Sequence, residues 1–454
     1  MVCLLHTASE KSKEMFDEAM AHGYVEARDI KALILGAAGT GKSHTIALIM
    51  DEDPPAVRRS TPCATRPVRT VSRTTAEARG SKFVRVTQDQ LSQTIADTAT
   101  MLSPAVNAKM PAGSSSAPTV AGSSKPQTGP PEHTTHSPST KDSESASPIT
   151  HEKLSSVSNV AEDELLRRIE MSPRLHDAKK VFTRDRISLI DTGGQPQFHE
   201  VLPIFMRGTS ATMFAIRLDA SLGDHPLIEY FDDSGQRVGI PYLSAYTNEQ
   251  ILKHCMRVIQ SQASQSEEGL CPNAIFIGTH KDLEDQCPES RGDKNQKIRD
   301  MLLPAVHNDV IYCGEELKEI IFPLNAKHPG PQEREFAAEI RRVIVERSRV
   351  KPKQIPLRWY ALELALQKQM LELGRGVLSK AECFALAKRF HFDEESFEEA
   401  LKYRDSLNIL FYYKDILPNI IFCDSQVLLD KVTELVEHIH RLKSDPSQHR
   451  AAEG

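Results

Sequence analysis

The chain has 454 residues, 39% hydrophobic and 26% charged, with a formal net charge of -6. At roughly 150 residues per domain this predicts two to three soluble globular domains. The slightly acidic balance excludes a basic footprint for nucleic acid or anionic lipid, and no apolar run approaches the roughly 18 residues that span a bilayer.

The eight cysteines are scattered and form no C-x-x-C pair. This predicts reduced thiols and a cytoplasmic location, not a disulfide framework or a zinc site. The opening Met1–His6 is too short for a signal sequence, and Glu10, Lys11 and Lys13 follow it.

Residues 9–28 read as one amphipathic helix with a turn at Gly23, and Met15, Phe16 and Met20 share a face. Residues 1–29 are thus expected to be a helical leader. Lys31–Leu35 is a short apolar run that predicts a buried strand, and Thr45–Met50 predicts a helix. Between them stand Gly36, Ala37, Ala38, Gly39, Thr40, Gly41, Lys42 and Ser43, the G-x-x-x-x-G-K-S phosphate-binding loop in its strand–loop–helix context. Glycines allow positive φ and close backbone approach to an anion, and loop N–H groups and the helix start face the phosphates. Lys42 supplies a charge for the β- and γ-phosphates, Ser43 a hydroxyl for Mg²⁺, and His44 is counted with the nucleotide-binding set.

Asp51–Pro55 stops that helix. Arg58–Arg69 reads as an extended basic loop and 81–87 as an edge strand. From about 103 to 160 the chain is rich in Ser, Pro, Thr, Ala and Gly, and no aromatic residue occurs between Phe83 and Phe182. Such a segment cannot bury enough apolar surface to order itself, so a disordered insertion is expected, flanked by short helices at 89–102 and 161–171. Strands are then predicted at 186–190, 212–218, 273–278 and 320–324, with helices at 248–262, 292–307 and 331–349. This alternation predicts an α/β domain over 30–350, a mostly parallel sheet with helices on both faces and ligands at the carboxyl ends of its strands.

Three motifs sit at those ends. Asp191-Thr192-Gly193-Gly194-Gln195 follows a core strand. Asp191 is placed to hold Mg²⁺ through a water, the Gly194 N–H to reach the γ-phosphate, and Gln195 to orient an attacking water. Thr279-His280-Lys281-Asp282 ends the next strand; its Asp282 carboxylate can accept two hydrogen bonds from guanine, which adenine cannot supply. Asn325-Ala326-Lys327 follows, where the Ala326 N–H can donate to the guanine carbonyl.

The order GAAGTGKS, DTGGQ, THKD, NAK resembles a Ras-like GTPase, and THKD in place of N-K-x-D is similar to the Roc GTPases of Roc–COR (ROCO) proteins. The resemblance covers roughly 30–440, interrupted by the insertion. It implies that Thr279 and His280 stand where most relatives have Asn and Lys, and that the basic loop is switch I. Its Mg²⁺-binding threonine is then Thr61 or Thr65. No arginine finger is assigned; Arg66 and Arg69 are candidates by position only.

Pro352 and Pro356 close this domain. A helix from Arg358-Trp359 carries Leu362, Leu366, Met370 and Leu373 at helical spacing. Ser379 and Glu382 form a capping box for a second helix, and a third runs over 393–407. Ile409–Tyr413 and Ile420–Cys423 are expected to pair as a hairpin, followed by a helix over 425–440 and a disordered tail over 442–454. This predicts a small α+β winged helix over 355–441, which resembles the first half of a COR domain. Its third helix carries Glu394, Glu395, Glu398 and Glu399, so no nucleic-acid partner is expected. The family dimerises through the second half of COR, which the sequence does not reach; a homodimer is left open and protein effectors are unassigned.

The expectation is a slow GTPase switch binding GTP or GDP with Mg²⁺, with Lys42 and Gln195 as the catalytic pair and Ser43, Thr61 and Asp191 around the metal. A nucleotide-binding scaffold without turnover and a STAND-type ATPase are the alternatives.

Overall fold

Tyr24–Leu35 is a 12-residue strand at the centre of the sheet, with side chains serving both faces. Ile30, Ala32 and Ile34 enter one core, and Leu33 and Leu35 the other. A strand covered on both sides needs apolar residues in both registers, and the near-continuous run Ala32–Leu35 supplies them.

The computed structural model describes residues 10–54, 61, 63–74, 81–89, 91–93, 95–96, 165, 168, 185–195, 198, 201–206, 208–226, 229–231, 237–239, 246–264, 273–302, 310–311, 313 and 319–444. In chain order the elements begin α1 (Glu10–His22), β1 (Tyr24–Leu35), α2 (Lys42–Ile49), β2 (Val68–Thr74), β3 (Ser81–Arg85) and β4 (Asp185–Asp191). They continue α3 (Leu202–Met206), β5 (Ala211–Arg217), β6 (Glu229–Phe231), β7 (Arg237–Gly239), α4 (Asn248–Ser264), β8 (Asn273–Thr279) and α5 (Arg291–Met301). Next come β9 (Ile321–Pro323), α6 (Pro331–Glu346), β10 (Lys353–Pro356) and α7 (Leu357–Leu373). The last are β11 (Val377–Ser379), α8 (Lys380–Ala387), α9 (Glu394–Ser406), β12 (Ile420–Phe422) and α10 (Ser425–Ser444).

The strands form an α/β sheet in the order β3-β2-β4-β1-β5-β8-β9, with β10 added beside β1. The pairs β4–β1, β1–β5, β5–β8 and β8–β9 are parallel; β2 and β3 form an antiparallel edge on β4. One face is covered by Ile46 and Ile49 of α2 with Ile340 and Ile344 of α6. The other takes Ile251, Leu252 and Met256 of α4 and Ile298 of α5. This is a mostly parallel sheet between helices, an architecture that fits a P-loop GTPase-like fold.

A third core joins α7, α8 and α9 to α1, through Phe16, Ala19 and Met20. Complete burial of each large side chain there contributes about 1.5–3 kcal/mol. The capping box at the start of α8 forms, with Ser379 Oγ accepting the Glu382 N–H at 3.2 Å. Lys31, wholly buried in β1, hydrogen-bonds the Asn408 side chain and ties the sheet to the end of α9.

The structure departs from the sequence reading in three places. Residues 24–29 do not continue the leading helix; they extend β1, with Tyr24–Ala27 paired antiparallel with β10 and Arg28 and Asp29 paired parallel with β4. Buried Val25 and Ala27 alternate with exposed Tyr24 and Glu26, which suits a strand with one wet face. The basic loop ends sooner than expected, because Val68–Thr74 pairs with β4. Finally, 409–413 is not a full hairpin strand. Tight turns on the Tyr413 carbonyl leave Phe411 a single bridge to Phe422, and β12 pairs instead with β11. The insertion at 103–160, most of its flanking helices, residues 303–309 and the tail beyond 444 lie outside the described residues. Among the described residues no helix is long and apolar enough to cross a membrane.

Candidate functional site

The loop after β1 closes into an anion cradle because three glycines take conformations other residues avoid. Gly36, Gly39 and Gly41 have φ of 147°, 72° and 72°. A Cβ on Gly36 would lie 2.3 Å from the Ala215 carbonyl oxygen of β5, so glycine is required there on space as well as on φ. Thr40 Oγ1 donates to the Ala37 carbonyl at 2.9 Å and fixes the bend. Gly41 caps α2, so the helix starts at Lys42 and its first N–H groups face the loop.

Lys42 is buried and folds back over the loop, donating to the Gly36 and Ala37 carbonyls at 2.9 Å each. Burial lowers its pKa from 10.5 to about 8, against the opposing attraction of Asp191. Two carbonyl oxygens hold a half-desolvated cation where a phosphate would be its better partner.

β4 brings Asp191 to the same place. Its Oδ2 accepts from the Ser43 hydroxyl and, at 3.3 Å, from the Thr61 hydroxyl. Ser43 and Thr61 are themselves 3.3 Å apart. Asp191 Oδ1 is buried without a hydrogen-bond partner, and burial raises the carboxyl pKa, with Lys42 opposing. One carboxylate with an orphaned oxygen and two hydroxyls is a hard oxygen donor set that suits Mg²⁺, which typically takes few protein ligands and completes its shell with water and phosphate. Thr65 faces elsewhere: its hydroxyl accepts the Asp191 backbone N–H at 3.4 Å and its own N–H donates to the Asp191 carbonyl at 2.8 Å. The geometry therefore separates the two threonines, with Thr61 on the carboxylate and Thr65 on the backbone.

Beyond Asp191, Thr192 anchors the turn to the Ile34 carbonyl at 2.7 Å. Gly194 lies against the cradle: a Cβ there would be 2.4 Å from backbone atoms of Ala37 and Ala38. Gly194→Ala is therefore expected to push the two loops apart, lowering nucleotide affinity at least about tenfold and Tm by several degrees. Titration calorimetry and a thermal melt check both. Gln195 follows, buried, and its carbonyl accepts the Phe198 N–H.

The other two motifs meet on the far side of the loop. Thr279 and His280 approach Gly41, with Thr279 Cγ2 and His280 Cε1 3.7 and 3.9 Å from where its Cβ would stand. Thr279 Oγ1 donates to the Ile216 carbonyl at 3.1 Å, and His280 turns the chain in a left-handed conformation. Lys281 is ion-paired with Glu333 at 2.8 Å. Asp282 is exposed and makes no hydrogen bond or ion pair among the described residues. Parallel pairing of β8 with β9 sets Asn325, Ala326 and Lys327 beside this turn; Ala326 is buried, and Asn325 Oδ1 accepts the His328 N–H at 3.1 Å.

The sequence reading missed what holds segment 61–69. The Cys63 carbonyl accepts the Gly193 N–H at 3.0 Å, and Ala64 bridges Thr192. On its other side the Cys63 N–H donates to Thr433 Oγ1 at 2.9 Å and the Arg66 N–H to Gln426 Oε1 at 2.8 Å, both on α10. Arg69 is ion-paired with Glu363 of α7. The partners on α7 and α10 lie roughly 290 to 370 residues away in sequence, and no local pattern signals them.

The fold and the site thus define an α/β protein with a P-loop cradle and a hard-oxygen cluster beside it. No family model matches the chain, and no curated protein matches it. Among solved structures, Methanosarcina barkeri Roco2 RocCORdC bound to GDP is similar over 91% of this chain and 78% of that one, at 8% identity and a TM-score of 0.43.

Proposed function

We propose that this chain is a guanine-nucleotide switch of Roc–COR type that binds GTP and GDP with Mg²⁺ and hydrolyses GTP slowly. The observation that carries the reading is the convergence of the Ser43 and Thr61 hydroxyls on the buried Asp191 carboxylate, next to Lys42. When bound, Mg²⁺ would neutralise charge developing on the transferred phosphoryl group.

The chain's own residues supply the rest. Lys42 exchanges two carbonyl partners for phosphate oxygens. The Gly194 N–H faces the γ-phosphate, and Gln195 orients the attacking water. Asp282 accepts from the guanine ring N–H and amino group, Ala326 donates to its carbonyl, and Thr279 and His280 wall the base side. Segment 61–69 carries the state of the site outward, because it touches Asp191 at one edge and α7 and α10 at the other. We read the unit of α7, α8, α9 and the β11–β12 pair as the winged helix that receives it.

Single-turnover phosphate release from GTP tests the turnover claim. Gln195→Leu is expected to slow release at least about tenfold with GTP affinity within about threefold of native. Phosphate release from the native chain no faster than in buffer would overturn hydrolysis and leave a non-hydrolysing scaffold.

A further inference from the structure

Away from the nucleotide cradle, a cleft of about 580 Å³ opens between the 66–69 segment and helices α7 and α9. That is within the range of small-molecule sites, roughly 300–1,000 Å³. Its walls are apolar, with Trp359, Leu366, Met370 and Leu401 among them, while Arg69, Glu363 and Arg404 form one charged patch.

The charges in that patch do not balance. Glu363 is the one carboxylate shared by two guanidiniums, ion-paired to Arg69 and, at 2.8 Å, to Arg404. The nearby Asp29 is already engaged by Arg186 at 2.8 Å and by the Tyr403 hydroxyl. Arg404 is 4% exposed. Its ion pair with Glu363, made by Nη1, lacks hydrogen-bond alignment, and its Nε and Nη2 are buried without an acceptor. The guanidinium is packed over the Tyr360 ring at 4.8 Å, with Arg186 against the same ring at 4.5 Å. A buried, unsatisfied guanidinium is costly unless something accepts from it. Burial and then repulsion from Arg404 and Arg186 hold the Arg69 pKa down to about 9, so the surplus charge is felt locally.

We propose that this cleft is a second ligand site, for a small amphipathic carboxylate whose head completes Arg404 and whose apolar tail lies along Trp359, Leu366 and Met370. A planar carboxylate matches the fixed guanidinium fork in a two-bond geometry that a hydroxyl cannot. The surplus positive charge selects against a cationic head of the same length.

Trp359 is the single tryptophan in the chain and lines the cleft, so its emission reports occupancy without reference to nucleotide. The full chain is titrated with sodium decanoate, decanol and decyltrimethylammonium below their aggregation limits. The expected result is a saturable Trp359 response to decanoate, at least about tenfold tighter than to either other probe. Arg404→Met is expected to abolish that preference. Gln367→Glu is a near-isosteric change beside Glu363, whose Oε1 accepts from Gln367 Nε2 at 3.5 Å. It adds a competing carboxylate, does not empty the core, and is expected to weaken decanoate at least about tenfold while sparing decanol. A non-saturable response, equal affinity for the three probes, or decanoate binding unchanged in Gln367→Glu would overturn the proposal.

Discussion

Lys42→Ala is expected to lower GTP and GDP affinity at least about 100-fold while the chain stays folded. A charge-assisted contact to phosphate in a buried site contributes about 3 kcal/mol or more, which is that factor. The fold should tolerate the change because the charge is a burden to the empty protein. A pKa lowered from 10.5 to about 8 means that the folded state disfavours the ammonium by about 3 kcal/mol. The unfolded chain keeps its proton up to the higher value, so this penalty is present in full below pH 8 and relieved as pH rises from 8 towards 10.5. Removing the amine removes the penalty, against the loss of two hydrogen bonds to Gly36 and Ala37 at about 1 kcal/mol each. The same shift predicts a pH effect on binding. Phosphate favours the ammonium, so above pH 8 binding must take up a proton, and affinity should fall by up to about tenfold per pH unit. Calorimetric titrations of both chains at pH 7, 8 and 9, with a melt of each empty form, read all three effects. Undiminished affinity in Lys42→Ala would remove Lys42 from the site.

The second large effect is expected at Asp282, where Asn should lower GTP affinity at least about 100-fold and raise that for xanthosine triphosphate. The Asp282 carboxylate is exposed and makes no competing hydrogen bond or ion pair among the described residues. Two charge-assisted hydrogen bonds to guanine contribute about 1.5–3 kcal/mol each. Asparagine keeps one acceptor for the ring N–H but sets a donor against the guanine amino group. In xanthine a carbonyl replaces that amino group, and the pairing is restored. Because position 282 is at the surface, the thermal melt should be unchanged. Competition binding with GTP, xanthosine triphosphate and ATP checks the exchange; a parallel loss for every nucleotide would point to damage to the turn, not to base reading.

Much of this site could be read from local sequence because its parts are local. The glycines at 36, 39 and 41 need their identities for φ or space, and the strands ending at Asp191, Thr279 and Pro323 are short apolar runs set by burial on both faces. What sequence reading lost was decided by partners far along the chain. Val25 and Ala27 stand among Glu and Arg, good helix formers, and become strand only because β10 arrives more than 300 residues later to pair with them. Val68–Thr74 sits in a stretch whose arginines suggest a solvated loop, yet Thr70 is buried against the Ile187 carbonyl of β4. Which of Thr61 and Thr65 faces the Asp191 carboxylate depends on side-chain direction, which spacing in the sequence does not carry. The Arg69–Glu363–Arg404 group joins three elements that no spacing rule connects.

Equilibrium binding of labelled GTP and ATP to the native chain, with Mg²⁺ present, bears on the guanine-switch reading before any variant is made. The proposed reading of the base by Asp282 and Ala326 predicts GTP binding at least about 100-fold tighter than ATP. ATP binding as tight as GTP, or tighter, would contradict it and favour an ATPase; binding of neither would leave the cradle without its nucleotide.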